Sequence, residues 1–190
     1  KVYQFALNVI AANALFGIAI PQLQADNALL KDRVFVDTLT QAYTREYLAQ
    51  RSALEMAQSR ESGSSLYFVM FDLDKFKRIN DELGHVDGDN ALRRLSQVTK
   101  DIVRKADVFA RFGGDEFVLL LPNISEQNAL NLVDKVREGI NAIVISEVSL
   151  SSSFGVTLMQ QSDTLETLIQ RADRALYASK EKGGNTITLK

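Results

Sequence analysis

Two different periods of apolar residues alternate along the chain, and they predict a protein built from strands and helices in turn. The run "LYFVMFD" is apolar without interruption, which is typical of a strand buried on both faces. Two further apolar runs flank Gly113 and Gly114, and this spacing predicts a hairpin with a tight Gly-Gly turn. Strands are predicted at residues 66–72, 108–111, 116–121, 150–159 and 186–189.

In the segments between these strands, apolar residues recur at the spacing of a helix. Ser125 is the expected cap of one helix, and the last helix is predicted to begin with Asp163 and Glu166 as a capping box and to stop at Gly183. Helices are predicted at residues 45–59, 89–104, 126–143 and 164–182. The alternation indicates an α/β fold class in which a central mixed sheet is flanked by helices.

An uncharged apolar segment at residues 2–20 precedes this domain and is about as long as a bilayer is thick. It lacks the pattern of a signal peptide, and the three amides Gln4, Asn8 and Asn13 are costly in lipid. Two interpretations stay open: the last span of a membrane protein, or a signalling or dimerisation helix. The predicted organisation is an apolar helix and stalk at 1–35 followed by a domain at 36–190.

Composition narrows the chemistry that the domain can perform. The 190 residues include no cysteine, so disulfides and thiolate metal sites are excluded and a metal must be held by hard ligands such as oxygen. The formal net charge of -2 gives no broad attraction for a nucleic-acid polymer, and we expect none as a partner. An anionic ligand would therefore need a local basic patch or a bound cation.

Three carboxylates stand where two predicted strands meet the glycine turn. Asp72 ends the first strand, and Asp115 and Glu116 open the strand that follows the turn. If these strands are neighbours, the carboxylates converge at one edge, as in a magnesium site. Gly113 and Gly114, having no Cβ, would let a triphosphate and its metal approach the main chain. On spacing alone, an acidic turn in solvent is the alternative.

The passage after Asp72 adds groups suited to a purine nucleotide. Lys77 offers a point charge for phosphate. A carboxylate at Asp89 can accept the N–H donors of a guanine edge, and the amide of Asn80 can both donate and accept. The polar residues of "FDLDKFKRINDELGHVDGDNAL" include Asp72, Asp74, Lys77, Asn80, Asp81 and Asp89.

Four motifs in order over residues 37–185 carry a family resemblance: "DTLT", "FDLDKFKRINDELGHVDGD", "ADVFARFGGDEF" and "RADRALYASKEKGGN". Together they resemble the GGDEF-domain diguanylate cyclases. The resemblance implies a fold like the palm of nucleotide polymerases. It also implies an enzyme that joins two GTP molecules into cyclic di-GMP, with release of pyrophosphate, and that acts as a homodimer because each domain positions one GTP.

The resemblance assigns roles to individual residues of this chain. Mg²⁺, with Mn²⁺ as the alternative, would be held by Asp72, the carbonyl of Leu73, Asp115 and Glu116. Glu116 would also assist deprotonation of the ribose 3′-hydroxyl. The implied substrate contacts are Asn80 and Asp89 for guanine, and Lys75, Phe76, Lys77, Gly113, Gly114 and Lys180 for the phosphates. The domain would lie in the cytoplasm, tethered to the inner membrane if residues 2–20 span it.

The stretch "RKAD" matches a further motif of the family. Arg104 and Asp107 are implied to form an inhibitory site for the product, cyclic di-GMP. An arginine and an aspartate three residues apart are also typical of a surface ion pair. The fixed distance of this pair before Gly113 favours the product site.

Two departures from the family pattern leave rival interpretations open. "LTQAYTR" stands where the family has LTGLxNR, so Gln41, Ala42 and Thr44 are unusual. In "KEKGGN", Gly184 replaces an arginine that would contact phosphate, and Lys182 is the candidate substitute. The rivals are a non-catalytic receptor for cyclic di-GMP and a structural dimerisation module with an inactive pocket. The intact acidic residues and glycines favour the enzyme.

Overall fold

The structure of the protein is a computed structural model that describes residues 35–190, so the predicted segment at 2–20 and most of the stalk lie outside the described residues. In chain order the elements are α1 (Arg45–Ser62), β1 (Leu66–Leu73), α2 (Phe76–Leu83), α3 (His85–Ile102), β2 (Val108–Gly113), β3 (Glu116–Pro122), α4 (Glu126–Asn141), β4 (Val144–Ile145), β5 (Val148–Ser149), β6 (Ser152–Leu158), α5 (Leu165–Glu181) and β7 (Ile187–Leu189). No helix within residues 35–190 has the length and apolar character needed to cross a bilayer.

Five strands form one mixed sheet in the order β2-β3-β1-β6-β7. β1 is central and runs antiparallel to both β3 and β6, whereas β6 and β7 are parallel. All eight residues of β1 are buried, because helices cover both faces of the sheet. The predicted fold class is confirmed, and so is the prediction of a strand buried on both sides.

Alternation along β1 assigns each residue to one face of the sheet. Tyr67, Val69 and Phe71 pack in the core cluster that includes residues of α3 and α4. Phe68 and Met70 pack in the second cluster, with residues of α1 and α5. Because Asp72 continues the even register, its side chain lies on the face covered by α1 and α5.

Helix α5 rests directly on the backbone of β6. A Cβ atom at Gly155 would lie 2.1 Å from the carbonyl oxygen of Ala172 and 2.3 Å from the backbone nitrogen of Leu176. No other residue leaves room for this approach, since the obstructing atoms are main chain. The close contact brings the C-terminal end of α5, with Lys180, towards the end of β1.

One predicted helix start and one predicted helix cap are wrong, and two elements were not predicted. α3 begins at His85 instead of residue 89, and neither α2 nor the short β4–β5 hairpin was predicted. The last helix is capped by Thr164, whose side chain forms a reciprocal capping box with Thr167. The carboxylate of Asp163 instead accepts hydrogen bonds from the Gln160 backbone at 2.7 Å, from Arg171 at 2.6 Å and from the hydroxyl of Thr167 at 2.9 Å.

The turn of the β2–β3 hairpin is displaced by one residue from its predicted position. β2 continues through Gly113, and the pairing register shifts between Arg111 and Gly113. The connecting residues are therefore Gly114 and Asp115, not Gly113 and Gly114. Gly114 has φ 50°, in the left-handed region that favours glycine.

Candidate active site

The carboxylates predicted from the sequence lie on neighbouring strands, near the end of β1 and at the beginning of β3. Asp72 and Glu116 are direct cross-strand partners, so their side chains share the face covered by α5. Asp115 occupies the hairpin turn immediately before Glu116. The prediction that the two strands are neighbours is confirmed.

Asp72 is an almost fully buried carboxylate, with 4% of its surface exposed. Its Oδ2 accepts a short hydrogen bond from the ammonium of Lys180, whereas its Oδ1 is buried and has no hydrogen-bond partner among residues 35–190. Burial raises the pKa of Asp72 to about 6; Lys180 opposes this rise, and Asp115 and Asp74 add to it. Charge on this carboxylate is thus costly unless a second cation is supplied.

The two neighbours of Asp72 also titrate abnormally. Burial raises the pKa of Glu116, and the negative charges of Asp115 and Asp173 raise it further, while Lys180 and Arg45 lower it. Burial alone would lower the pKa of Lys180, but the hydrogen bond and charge of Asp72 raise it overall. The site therefore concentrates negative charge around a single ammonium.

These features fit a hard divalent cation. Within residues 35–190, no three acidic or histidine side chains lie close enough to form a ready metal cluster. The buried Oδ1 of Asp72 nevertheless lacks a partner, and a cation already occupies its other oxygen. A metal that prefers carboxylate, carbonyl and water oxygen matches this donor set, because substrate phosphate and water would complete its shell.

A cleft of about 530 Å³ opens beside these carboxylates. It is lined by Asp72, Leu73, Asp74, Lys75, Phe76, Lys77, Asp115, Lys180, Gly183 and Gly184. Three of the lining residues are lysines: Lys180 is paired with Asp72, and Lys75 and Lys77 at the start of α2 make a basic wall. The structure thus brings most of the predicted metal and phosphate residues into one cavity.

The beginning of α2 forms part of the basic wall. Lys75 is the N-cap residue, has φ 58° and provides no side-chain cap for the helix. The first N–H groups of a helix carry a partial positive charge and bind anions readily. The predicted phosphate contact at the main chain of Lys75 and Phe76 therefore has a structural basis.

The two residues predicted to recognise guanine lie on adjacent helices. Asn80 is on α2 and Asp89 is on α3, and both are half-buried. The Oδ1 of Asn80 lies only 1.9 Å from where a Cβ would stand at Gly88, so the two helices touch beside Asp89. Gly88 was missed from the sequence, although a glycine inside a helical pattern is a sign of close packing.

A clamp on the hairpin turn was also missed. The guanidinium of Arg111 donates to the carbonyl of Gly114 from Nε at 2.9 Å and from a terminal nitrogen at 2.7 Å. Its other terminal nitrogen donates to Asp37 at 3.0 Å. Asp37 also accepts from the backbone and hydroxyl of Thr40, which lowers its pKa against the effect of burial. The "DTLT" stretch thus braces the turn.

Arg104 and Asp107 lie at the other end of β3. Arg104 donates to both oxygens of Asp107 through Nε at 3.1 Å and also donates to the carbonyl of Pro122 at 3.1 Å. The Asp107 side chain has no exposed surface, whereas 41% of the Arg104 side chain is exposed. The ion pair therefore exists in this structure, and only its arginine presents substantial surface to a ligand.

The unusual residues of "LTQAYTR" have identifiable roles. Thr44 caps α1 by accepting a hydrogen bond from the backbone of Tyr47, as asparagine also can. Gln41 has φ 57°, a conformation that glycine adopts without strain. In the second departure, the ammonium of Lys182 donates to Thr188 at 3.0 Å, so this lysine is engaged with β7.

Comparison with known families agrees with this geometry. A model of the diguanylate cyclase GGDEF domain matches residues 34–186. The chain belongs to this family. Within it, the chain is 35% identical over 164 residues to diguanylate cyclase DosC of Escherichia coli. That match covers 84% of this chain but 36% of DosC, so the chain spans about a third of that relative's length.

Solved structures of GGDEF proteins share the fold. The diguanylate cyclase SiaD of Pseudomonas aeruginosa, in complex with its activator SiaC, superimposes with a TM-score of 0.81 and 30% identity, covering 99% of this chain and 74% of SiaD. The coiled coil and GGDEF domain of DgcB from Caulobacter crescentus, in complex with c-di-GMP, gives 0.89. Its identity is 23%, with 96% of this chain and 99% of that one covered, so it supports the fold alone.

Proposed function

We propose that the chain is a diguanylate cyclase that condenses two GTP molecules into cyclic di-GMP and two pyrophosphates. The observation that carries this proposal is the buried, unpartnered oxygen of Asp72, which lies across from Glu116 beside a basic cleft. Membership of the GGDEF family supports the same reaction. In each of the two bond-forming steps, a ribose 3′-oxygen attacks an α-phosphate and pyrophosphate leaves.

The cofactor in this proposal is Mg²⁺, with Mn²⁺ as the alternative. Asp72, the carbonyl of Leu73, Asp115 and Glu116 are the residues that would hold it. When bound, such an ion neutralises charge on the attacking and leaving oxygens. Glu116 is the proposed proton acceptor for the 3′-hydroxyl, because its raised pKa brings a carboxylate closer to neutral pH.

The substrate GTP would lie across the cleft from α3 to α5. Asn80 and Asp89 are proposed to bind guanine, since Asn80 on α2 packs against Gly88, the residue before Asp89 on α3. The phosphates would lie against the start of α2 at Lys75 and Phe76. Further phosphate contacts would come from Lys77, Lys180, Gly113 and Gly114. Binding by main-chain groups and lysines allows a protein of net charge -2 to hold a polyanion.

The proposed active form is a homodimer. The domain has one guanine-recognition pair, Asn80 and Asp89, whereas the product contains two guanines. Two domains facing each other would supply two GTP molecules and two attacking oxygens. Arg104 and Asp107 are proposed to bind cyclic di-GMP as an inhibitor, with the exposed Arg104 making the first contact.

The segment before the domain is proposed to control how two copies meet. In this arrangement, residues 1–35 form an apolar helix and stalk, and residues 36–190 form the cyclase domain. The cyclase domain would act in the cytoplasm, anchored to the inner membrane where residues 2–20 span it.

A direct assay tests the proposal against its rivals. Purified protein is incubated with GTP and Mg²⁺, and the nucleotides are separated by chromatography. Cyclic di-GMP and pyrophosphate are the expected products. Binding of cyclic di-GMP without turnover would indicate a receptor, and neither binding nor turnover would indicate a structural module. Asp115→Asn, which keeps the shape of the turn but removes a charge, is the matched variant and should abolish most turnover.

A further inference from the structure

Asp74 lines the same cleft as Asp72, but its carboxylate has a different set of partners. Its Oδ1 accepts from the hydroxyl of Ser153 at 2.6 Å, and its Oδ2 accepts from the hydroxyl of Ser151 at 2.8 Å. The backbone N–H of Asn185 also donates to Oδ2, at 2.8 Å. Neutral donors thus satisfy both oxygens of Asp74, unlike those of Asp72.

The backbone that Asp74 holds is the turn ending α5. The N–H of Gly183 donates to the carbonyl of Lys180 at 3.0 Å, and the N–H of Gly184 donates to Ser179 at 3.3 Å. Gly184 has φ 82°, and a Cβ there would lie 3.0 Å from the carboxylate of Asp74. The turn therefore packs tightly against Asp74 and fixes the last carbonyls of the helix.

Asn185 is held from a second side by α4. Its side-chain oxygen accepts from a terminal nitrogen of Arg137 at 3.1 Å. Arg137 is itself fixed by Asp134, to which its Nε donates at 2.8 Å, and only 20% of its side chain is exposed. We name Asp74, Asn185 and Arg137 together the Asn185 anchor.

We propose that the Asn185 anchor positions Lys180 in the cleft, so that Asp74 and Arg137 are positioning residues for the substrate phosphates and Asp74 is not a metal ligand. Lys180 lies in the last turn of α5, and its carbonyl is bound by the turn that the anchor holds. Without the anchor, the helix end frays and the ammonium leaves Asp72 for solvent. Since Gly184 supplies no arginine, phosphate binding depends all the more on Lys180.

This inference rests on the proposed function, and nucleotide binding tests it separately from turnover. The probe is a fluorescent GTP analogue with Mg²⁺, titrated into the full chain. Asp74→Ala should weaken binding about ten-fold, the effect of losing one charge-assisted contact. Asp74→Asn should remain within about three-fold of wild type, because its amide can still accept from Asn185 and donate to Ser153.

A double-mutant cycle shows whether Asp74 acts through Lys180. Adding Asp74→Ala to Lys180→Ala should weaken binding less than about two-fold beyond Lys180→Ala alone, since coupled sites are not additive. The Mg²⁺ concentration for half-maximal binding should be unchanged in Asp74→Asn. Additive losses, or an Asp74→Asn protein that needs more Mg²⁺ and binds as poorly as Asp74→Ala, would overturn the proposal.

Arg137 provides a test that does not alter the cleft. Arg137→Ala should weaken nucleotide binding about three-fold through the same turn, and this loss should vanish in the Lys180→Ala background. Arg174→Ala is the matched control, because Arg174 lies on α5 and its Nε donates to the carbonyl of Gln170, within its own helix. If Asp74→Ala does not fold, the comparison of Arg137→Ala with and without Lys180→Ala tests the proposal. If Arg137→Ala weakens nucleotide binding by the same factor in the Lys180→Ala background, the role of the Asn185 anchor is refuted. A wild type that binds the analogue but makes no cyclic di-GMP would refute only the cyclase function.

Discussion

Asp72 is placed where ionisation works against folding. The carboxylate is nearly fully buried, Lys180 is its one side-chain partner among residues 35–190, and burial raises its pKa from 3.8 to about 6. Because the folded-state pKa exceeds the unfolded one, its stabilising contribution is complete below pH 3.8 and is lost as the pH rises through 6. At neutral pH the residue serves ligand binding at the expense of stability.

The first prediction follows from this conflict. Asp72→Asn should reduce cyclic di-GMP synthesis by at least about a hundred-fold. At pH 8 without metal, the variant should be at least as stable as wild type, with a free energy of unfolding higher by up to about 3 kcal/mol. Urea denaturation at pH 8 and pH 4.5 measures this, and the advantage should shrink at the lower pH. A variant clearly less stable than wild type at pH 8 would show that the ion pair with Lys180 outweighs burial.

The backbone of Gln41 is strained, and the sequence indicated this only through the glycine that the family has at this position. Its φ of 57° costs a side-chain-bearing residue about 1–2 kcal/mol, and its amide recovers part of this by donating to Thr38 at 3.1 Å. Gln41→Gly should therefore raise the free energy of unfolding by about 0.5–1 kcal/mol. Thermal denaturation measures the change, with Gln41→Ala as control because it keeps the strain and loses the hydrogen bond. The interpretation fails if the glycine variant is no more stable than the alanine variant.

Among the elements, the β2–β3 hairpin leaves open space beside Gly113 and Gly114. A Cβ at Gly113 or at Gly114 would meet no atom within 4 Å, and the turn is held by Arg111 and Asp37. The fold therefore does not require a glycine at position 113, where φ is not positive. What requires it, in the proposed function, is the approach of phosphate to the main chain.

Gly113→Ala separates the two explanations. We expect the free energy of unfolding to change by less than about 0.5 kcal/mol, because the added methyl group enters open space. Cyclic di-GMP synthesis should fall at least about ten-fold, since the methyl group occupies the path of the nucleotide. Initial rates and denaturation of the same preparation provide both numbers. Normal turnover in the variant would remove the nucleotide from this face of the turn.

Local patterns in the sequence predicted most elements, but not the contacts between them. β1 and the two hairpin strands could be predicted because each is a continuous run of apolar residues in the sequence. The turn was misplaced by one residue because a register shift at Arg111 depends on how two strands pair. The contact of Lys180 with Asp72 joins residues far apart in sequence, and it follows from α5 resting on Gly155, which no local pattern encodes. Asp74 was noted among the polar residues of its segment, but its hydrogen-bond partners Ser153 in β6 and Asn185 after α5 were not predicted.

At the scale of the whole domain, the cleft and the proposed product site lie at opposite ends of β3. Glu116 begins this strand, and Arg104 contacts the carbonyl of Pro122 at its end. A strand of seven residues is about 20 Å long, so a product molecule at Arg104 does not reach the carboxylates. Inhibition from this position would act by changing how two domains meet.

Arg104→Ala tests this arrangement. Cyclic di-GMP should inhibit wild type non-competitively with GTP, and the variant should need at least about ten-fold more product for the same inhibition. Turnover at low product should persist, because Arg104 touches no residue of the cleft. Initial rates against added cyclic di-GMP measure the effect, with calorimetric titration of the product. Arg94→Ala is the control, because Arg94 is an exposed arginine on α3 that donates to the carbonyl of Val144 and not to a residue of the cleft. Identical inhibition of wild type and Arg104→Ala would leave the pair as a surface ion pair only.

The cleft is bordered by the end of β1 and by the start of α2, and we expect amide hydrogen exchange to be slower in β1 than in α2. Asp72 lies one residue before the end of β1, a central strand paired on both sides, so we expect its amide to exchange only when the sheet opens. The opposite wall is α2, a helix of eight residues with one buried residue, Ile79, and an uncapped first turn. Its amides at residues 76–77 exchange through local opening at little cost. A nucleotide bound in the cleft should therefore slow the exchange of the amides at residues 76–77 and leave that of the β1 amides nearly unchanged.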